Sequence, residues 1–292
     1  MKIALFGKDY TDNQQPYLQL LIDELIGRSV DLCIYKPYYR MISPGIRLPE
    51  KLSFFSSHTD LLKDTTLLFS IGGDGTLLDT IPFVRGSGIP ILGINLGRLG
   101  FLSSISKEEI KEAIEYVFNG KYKLDKRALL SLVSPKHVFG DLNFALNDLT
   151  VYRKNTTSLI GVHVYVDGVK LNTYWGDGLI VATPTGSTAY SLSVGGPILT
   201  PGSRNFVIAP IASHNLTVRP IVIQDSSEIR ISLEGREDIY LMTMDSRHTT
   251  ISKNHEFVIR RCDFTINLVQ MEHKEFFTTI REKLMWGKDY RN

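Results

Sequence analysis

The chain has 292 residues, of which 43% are hydrophobic and 22% are charged, and its formal net charge is +2 at pH 7. These values are typical of a soluble globular protein with one large domain or two ordinary ones. The near-neutral balance argues for neither nucleic acid nor an anionic membrane as a partner, and we expect neither. No apolar run approaches the roughly 20 residues of a membrane helix. The two unclustered cysteines, Cys33 and Cys262, indicate a reducing cytoplasm and have no metal-site spacing.

The first 120 or so residues alternate strand-like and helix-like patterns. Strands are predicted at 2–7, 30–35, 67–71 and 90–95. Helices are predicted over 18–25 with Gly27 as C-cap, from Leu77 to about Gly86, and after the capping box of Ser106 and Glu109. This alternation predicts a parallel sheet covered by helices, with ligands bound beyond the carboxyl ends of the strands.

Residues 38–65 are weakly patterned, and we favour an irregular connection over a mobile loop near the site. From about Tyr122 short alternating runs indicate mostly antiparallel β structure, with a hairpin turn at Asp167-Gly168. The predicted strands of this half are 128–134, 159–166, 178–182, 206–211, 229–233, 239–244, 256–259 and 264–269. A last helix is predicted over 274–284.

We therefore expect an α/β N-terminal domain with a Rossmann-like parallel sheet, followed by a mainly antiparallel β C-terminal domain. The expected boundaries are 1–122 and 123–272, with the C-terminal helix 273–292 returning to the first domain.

A glycine-rich run with one acid, residues 72–76, directly follows the apolar segment 67–71. Glycine leaves no Cβ between the backbone and a ligand, and free N–H groups at a helix start form a phosphate cradle. Asp74 at its tip would repel phosphate unless a metal ion lies between them or the acid accepts a proton from an incoming hydroxyl. The run thus indicates phosphoryl transfer without the lysine of a P-loop. A plain strand-to-helix turn with a capping acid is the alternative.

A second dense segment, 177–197, contains a buried-strand pattern followed by a turn rich in glycine and hydroxyl residues. Hydroxyls, backbone amides and the ring of Tyr190 suit a nucleoside, whereas a Ser/Thr-rich helix cap is the alternative. Asn147 and Asp148 form a polar pair inside an apolar run. Neighbouring strand side chains face opposite ways, so we expect this pair at a strand end, where it can meet a ligand.

Together these three elements resemble the signatures of the ATP-NAD kinase family, in the family's order. The glycine turn stands at 72–76, the polar pair at 147–148 and the long segment at 177–197. Segments 95–102 and 219–222 are also similar to the family. The long segment is highly specific, while the glycine turn also occurs in diacylglycerol-type lipid kinases and, in variant form, in phosphofructokinases.

The resemblance implies transfer of the γ-phosphoryl group of ATP to the 2′-hydroxyl of the adenosine ribose of NAD. It also implies Mg²⁺ or another divalent cation, with unknown protein ligands, and a cytoplasmic homodimer or homotetramer. Asp74 would be the general base. The residues implied to bind the ligands are Gly72, Gly73, Gly75, Thr76, Asn147, Asp148, Trp175, Asp177, Thr188, Ala189, Tyr190, Ser191, Leu192, Ser193, Asp245 and Arg247.

Three positions depart from the family pattern or vary within it. Asp148 stands where the family usually has Glu, and Arg247 where it has Gln. Trp175, two residues before Asp177, resembles the bulky residue of the branch that prefers NAD over NADH. We expect that preference here, and packing of Trp175 over the sheet edge is the alternative.

Two other functions compete with this interpretation. A lipid kinase would need an apolar groove or membrane-facing surface, which the sequence does not indicate. A catalytically silent NAD(P)-binding regulator would not need Asp74. Incubation with MgATP and NAD, followed by a test for NADP, discriminates among the three.

Overall fold

The computed structural model describes residues 1–61, 64–97, 100–103, 105–155, 158–272 and 274–286. By its internal contacts the chain divides into two compact units. The first comprises Met1–Lys126 and the chain from Ile266 onward, and the second comprises Arg127–Thr265.

The first unit contains parallel strands and the helices that cover them. Its strands are β1 (Lys2–Gly7), β2 (Asp31–Tyr35), β3 (Ser53–Phe55), β4 (Leu67–Ile71), β5 (Ile91–Asn95) and β6 (Ile105–Ser106). Its helices before residue 120 are α1 (Gln15–Gly27), α2 (Lys36–Ile42), α3 (His58–Leu61), α4 (Asp74–Leu78), α5 (Ile81–Val84) and α6 (Ile110–Phe118).

The parallel sheet has the order β3-β2-β1-β4-β5, with β6 paired to β5. Strands β4 and β5 are buried along their whole length, as expected for parallel strands covered on both faces. The apolar stripe of α1, formed by Leu18, Leu21, Ile22 and Leu25, joins the same core as Ile110 and Ile114 of α6. The capping box of Ser106 and Glu109 is confirmed, and a 3₁₀ turn leads from it into α6.

Three local predictions in this unit are wrong. The connection predicted to be irregular contains α2, β3 and α3. The helix predicted from Leu77 to Gly86 is divided into α4 and α5, because Pro82 cannot continue a helix that needs its N–H. Gly27 is the last residue of α1 and Arg28 is its C-cap, while Ser29 adopts the left-handed conformation with φ of 53°.

The second unit contains two antiparallel sheets. Its strands are β7 (Tyr122–Ser134), β8 (Phe144–Ala145), β9 (Asp148–Tyr152), β10 (Ile160–Val166), β11 (Val169–Gly176), β12 (Gly178–Ala182), β13 (Asn205–Ile211), β14 (Ile221–Gln224), β15 (Ile229–Glu234), β16 (Ile239–Met244), β17 (Arg247–Ser252) and β18 (Phe257–Met271), and its helix is α7 (Tyr190–Ser193). The divisions between the units fall within β7 and β18.

One sheet of this unit has the order β14-β13-β12-β9-β16-β17, and the other includes β11-β10-β15-β18. Their inner faces share one core, in which Val181 and Met242 of the first sheet lie with Val162 and Ile231 of the second. The α/β and antiparallel β architecture predicted from the sequence is therefore confirmed.

The predicted hairpin is also confirmed, because Val166 pairs with Val169 and both Asp167 and Gly168 have positive φ. The two strands predicted after residue 256 are one long strand, β18. The part of β18 from Ile266 onward belongs to the first unit, where Leu268 pairs with Ile91 of β5. A final helix α8 (Phe276–Leu284) follows. Across the described residues no helix is both long and apolar enough to cross a bilayer.

Candidate functional site

The glycine turn of the first unit leads directly from β4 into α4. Gly72 has φ of 146°, and a Cβ there would lie 2.4 Å from the Thr76 hydroxyl, so only glycine fits. The first intrahelical hydrogen bond runs from Leu77 N–H to the Gly73 carbonyl at 3.1 Å. The N–H groups of Asp74, Gly75 and Thr76 precede it and have no partner within the helix. This group of donors suits an anionic ligand.

The carboxylate of Asp74 is held by the loop that follows β5. Its Oδ2 accepts the N–H of Phe101 at 2.7 Å, and its Oδ1 accepts those of Leu102 at 3.0 Å and Ser103 at 2.9 Å. Gly100 permits this approach, because a Cβ there would lie 2.0 Å from Oδ1. A carboxylate has about four acceptor positions. These three bonds therefore orient Asp74 and leave one acceptor position, on Oδ2, for another hydroxyl.

Lys8 and Asn95 also lie near this turn, and no motif of the sequence assigns a role to either residue. Gly7 of β1 pairs with Ile71 of β4, which places Lys8 beside the turn. The position of Lys8 therefore depends on the strand register, which the sequence alone does not reveal. The Lys8 ammonium donates to Asp79 at 2.6 Å, and that hydrogen bond raises the pKa of Lys8. The Asn95 amide oxygen accepts the Gly97 N–H at 2.8 Å. Of the family-like segment 95–102, Arg98 and Leu99 lie outside the described residues.

In the second unit, Asn147 immediately precedes β9, which confirms its predicted place at a strand end. Its N–H donates to Asp245 at 2.7 Å, and its carbonyl accepts the Thr183 N–H at 2.8 Å. A Cβ at Gly186 would lie 2.0 Å from the same carbonyl. These contacts fix the backbone of Asn147. Within the described chain its side-chain amide makes no hydrogen bond, so the amide is available to a ligand.

Asp148 is turned into the protein and is only 7% exposed. Its Oδ1 accepts the hydroxyl of Thr150 at 3.0 Å. Burial, together with the negative charge of Asp245, raises the pKa of Asp148 to about 7. The Asp148 carboxyl group therefore changes its protonation near neutral pH, which an exposed carboxylate would not do.

Asp245 and Arg247 also direct their side chains into the protein. The Asp245 carboxylate accepts the N–H groups of Leu146 and Asn147. Burial raises the pKa of Asp245, and these N–H bonds oppose that rise. The Arg247 guanidinium donates to the carbonyls of Leu142 and Phe144. Both polar groups are thus engaged by the protein, and direct ligand binding by either residue stays a prediction.

Asp177 lines a cavity of about 470 Å³ in the second unit. The other lining residues are Thr150, Tyr152, Arg153, Lys154, Asn155, Tyr190, Ile211 and Thr243. Tyr190 is 48% exposed, and Arg153 pairs with Asp177 at 2.8 Å. Sequence reasoning missed Arg153, whose position follows from the pairing of Tyr152 with Gly178 across β9 and β12. The cavity combines an aromatic face with charged and hydroxyl groups, as a nucleotide requires.

Most hydroxyls of the turn after β12 serve the turn itself. The Ser187 hydroxyl donates to the Pro184 carbonyl at 2.6 Å and accepts the Leu199 N–H at 2.9 Å. Thr185 accepts from Arg127 at 3.2 Å, and Ser191 is buried. Among the residues predicted to bind ligand, the partly or fully exposed ones in this turn are Thr188, Ala189, Tyr190, Leu192 and Ser193.

Trp175 lines a different cavity from Asp177. That cavity has a volume of about 450 Å³ and is shared with Glu234 and Arg236, among others. A Cβ at Gly161 would lie 3.0 Å from the Trp175 ring, so the ring covers the glycine of the neighbouring strand. This geometry favours the packing alternative for Trp175.

Comparison with known proteins agrees with the fold and with these motifs. Residues 53–122 match the ATP-NAD kinase N-terminal domain, and residues 146–271 match the ATP-NAD kinase C-terminal domain. The chain is 45% identical to the NAD kinase of Flavobacterium psychrophilum, 42% to that of Cytophaga hutchinsonii and 39% to that of Bacteroides fragilis. Each match covers 100% of both chains.

Two solved structures share the fold. Yeast NADH kinase complexed with NADH has a TM-score of 0.88 and 26% identity, covering 100% of this chain and 89% of that one. An NAD kinase from Archaeoglobus fulgidus in complex with ATP has a TM-score of 0.73 and 25% identity, covering 98% and 99%. On the full-length matches and both domain matches, this chain belongs to the ATP-NAD kinase family.

Proposed function

We propose that this protein transfers the γ-phosphoryl group of ATP to the 2′-hydroxyl of the adenosine ribose of NAD, forming NADP and ADP. The observation that supports this most strongly is Asp74, a fixed carboxylate with one acceptor position left at the head of a glycine turn. The full-length relatives named NAD kinase support the same reaction. So do the similar folds that hold NADH and ATP.

In the proposed reaction, Asp74 accepts the proton of the 2′-hydroxyl as that oxygen attacks the γ-phosphorus. The new O–P bond forms while the bond between the γ-phosphorus and its bridging oxygen breaks, and ADP leaves. The N–H groups at 74–76 would donate to phosphate oxygens. The amide of Asn147, the carboxylate of Asp177 and the exposed residues of 188–193 would hold NAD.

We propose that Mg²⁺, or another divalent cation, is carried by the phosphates of ATP. Mg²⁺ is commonly bound by one or two carboxylates together with substrate phosphates, and it does not need an all-protein cage. The described residues contain no group of three or more His, Cys, Asp or Glu side chains arranged for a metal ion. The cation would neutralise the charge that develops on the phosphoryl oxygens.

We also propose that the protein is cytoplasmic and forms a homodimer or homotetramer. The two free thiols, Cys33 and Cys262, fit a reducing compartment. The edge strand β14 exposes Ile221 and Val222, an apolar edge that a second copy could cover. Light scattering during size-exclusion chromatography would measure the oligomeric state, and a monomeric mass would contradict this part of the proposal.

A coupled assay tests the reaction. The protein is incubated with MgATP and NAD, and the product is offered to a glucose-6-phosphate dehydrogenase that reduces only NADP. We expect NADPH to accumulate in proportion to the amount of protein added. If no NADP forms while NAD binding is retained, the chain is a silent NAD-binding protein and the proposed function is wrong.

A further inference from the structure

The turn between β16 and β17 holds the strand end that presents Asn147. Asp245 occupies this turn with φ of 52°, in the left-handed region. Its N–H donates to the carbonyl of Asp148 at 3.2 Å. Its carboxylate accepts the N–H groups of Leu146 at 2.8 Å and Asn147 at 2.7 Å. Asp245 is therefore bonded to the backbone of three consecutive residues around the predicted ligand amide.

Arg247 forms further hydrogen bonds with the backbone of residues that precede Asn147. Its two terminal nitrogens donate to the carbonyls of Leu142 and Phe144, and its guanidinium lies 5.5 Å from the centre of the Phe144 ring. One terminal nitrogen also lies 3.8 Å from the carboxylate of Asp245. A planar guanidinium can serve two carbonyls and a ring at once, which a lysine ammonium cannot do with the same geometry.

Arg247 also compensates the negative charge of the buried acids in this cluster, Asp245 and Asp148. The Asp245 side chain is only 3% exposed. Asp148 is a second buried acid near it, and the Asp148 carboxyl group accepts the hydroxyl of Thr150. A buried carboxylate is costly unless it is paired or hydrogen-bonded. Arg247 pairs with Asp245 and offsets the cost of burying its negative charge. Removal of Arg247 would therefore destabilise the charged form of Asp245, which accepts the Asn147 N–H.

We propose that Arg247 and Asp245 are positioning residues for NAD, which act by fixing the backbone of Asn147 and thereby aiming its side-chain amide at the ligand. This inference rests on the proposed function. It differs from direct ligand binding by the two residues, because their polar groups are engaged by the backbone of 142–147.

A double-mutant cycle on NAD affinity tests the coupling. The four proteins are wild type, Arg247→Met, Asn147→Ala and the double variant, with the Kd for NAD measured by calorimetry without ATP. We expect Arg247→Met to raise the Kd about tenfold in the wild-type background and less than about twofold in the Asn147→Ala background, because neighbouring residues in one network are not additive. An equal rise in both backgrounds, or no rise in either, would overturn the proposal.

Two further variants keep the result interpretable. Arg247→Lys retains the charge and loses the paired donors, so an intermediate rise in Kd is expected, and it serves as the second test if Arg247→Met does not fold. Arg260→Met is the matched control, since Arg260 pairs with Glu228 on an exposed surface, and its Kd should equal that of wild type. Wild-type protein that forms no NADP would refute the proposed function separately, because the cycle measures binding alone.

Discussion

The carboxylate of Asp74 and the backbone N–H of Phe101 are joined by a hydrogen bond of 2.7 Å, which ties the glycine turn to the loop after β5. Leu102 and Ser103 donate to the other carboxylate oxygen. A side-chain amide at position 74 would place an NH₂ donor against one of these N–H donors. Asp74 thus has a structural role as well as its proposed chemical role, and experiments must separate the two.

Asp74→Asn should lower kcat by at least about 10²-fold, since the base is lost. It should also lower the free energy of unfolding by about 1–3 kcal/mol, because one N–H donor loses its acceptor. NAD affinity should change little. The checks are the coupled assay, calorimetry and thermal unfolding, and near-normal turnover in the variant would refute the role of Asp74 as the base.

Gly100→Ala separates orientation from chemistry, since it retains the carboxylate. The new Cβ would lie 2.0 Å from Oδ1 of Asp74, so the carboxylate or the loop must move. We expect kcat to fall by at least about tenfold, because misplacement of a catalytic group is costly. Gly88→Ala is a poor control because Gly88 has φ of 78°, whereas Gly202→Ala, with open space around it, is a suitable one.

Asp177→Asn should weaken NAD binding by about 1–3 kcal/mol, because ligand hydroxyls would lose a charged acceptor. The melting temperature should change little, since the lost ion pair with Arg153 is partly exposed. Asp238→Asn is the matched control, as Asp238 pairs with Lys253 on the surface. A large drop in melting temperature with unaltered NAD affinity would assign Asp177 a structural role only.

The raised pKa of Asp148 predicts how the free energy of unfolding depends on pH. Its folded pKa of about 7 lies above its unfolded value of 3.8, so its ionisation is less favourable in the folded protein. This group therefore lowers stability progressively as pH rises from about 4 to about 7. Asp148→Asn should raise the free energy of unfolding by up to about 4 kcal/mol near pH 8 and have little effect near pH 4. Thermal unfolding across this range measures it, and an equal effect at both ends would contradict the shifted pKa.

Trp175→Ala tests whether the ring discriminates between NAD and NADH. The ring covers Gly161 and lines a cavity that Asp177 does not line, so we expect an unchanged ratio of kcat/KM for the two substrates. The free energy of unfolding should fall by about 1–3 kcal/mol through lost apolar burial. A ratio that shifts several-fold toward NADH would instead support the specificity role suggested by the resemblance.

The sequence by itself determined the fold class, the chief strands and the motifs, because apolar periodicity and glycine spacing are local properties. Strands β1 and β4 have the predicted bounds, and the Asp167-Gly168 turn adopts the predicted conformation. Local pattern was insufficient where chain neighbours do not decide the structure. The short strand β3 forms only because β2 offers a free edge, and Pro82 divides a helix whose apolar spacing continues past it.

Only the tertiary structure decided which groups surround each predicted site residue. Phe101 and Asp74 are 27 residues apart in the chain, and Asp245 and Asn147 are 98 apart. No local pattern encodes such contacts, since strand register and loop course set them. The same packing brings Arg153 to Asp177 and Arg247 to the backbone before Asn147. It also raises the pKa of Asp148 to about 7. Burial and hydrogen-bond partners, which exist only once the chain is folded, determine the chemistry of these side chains.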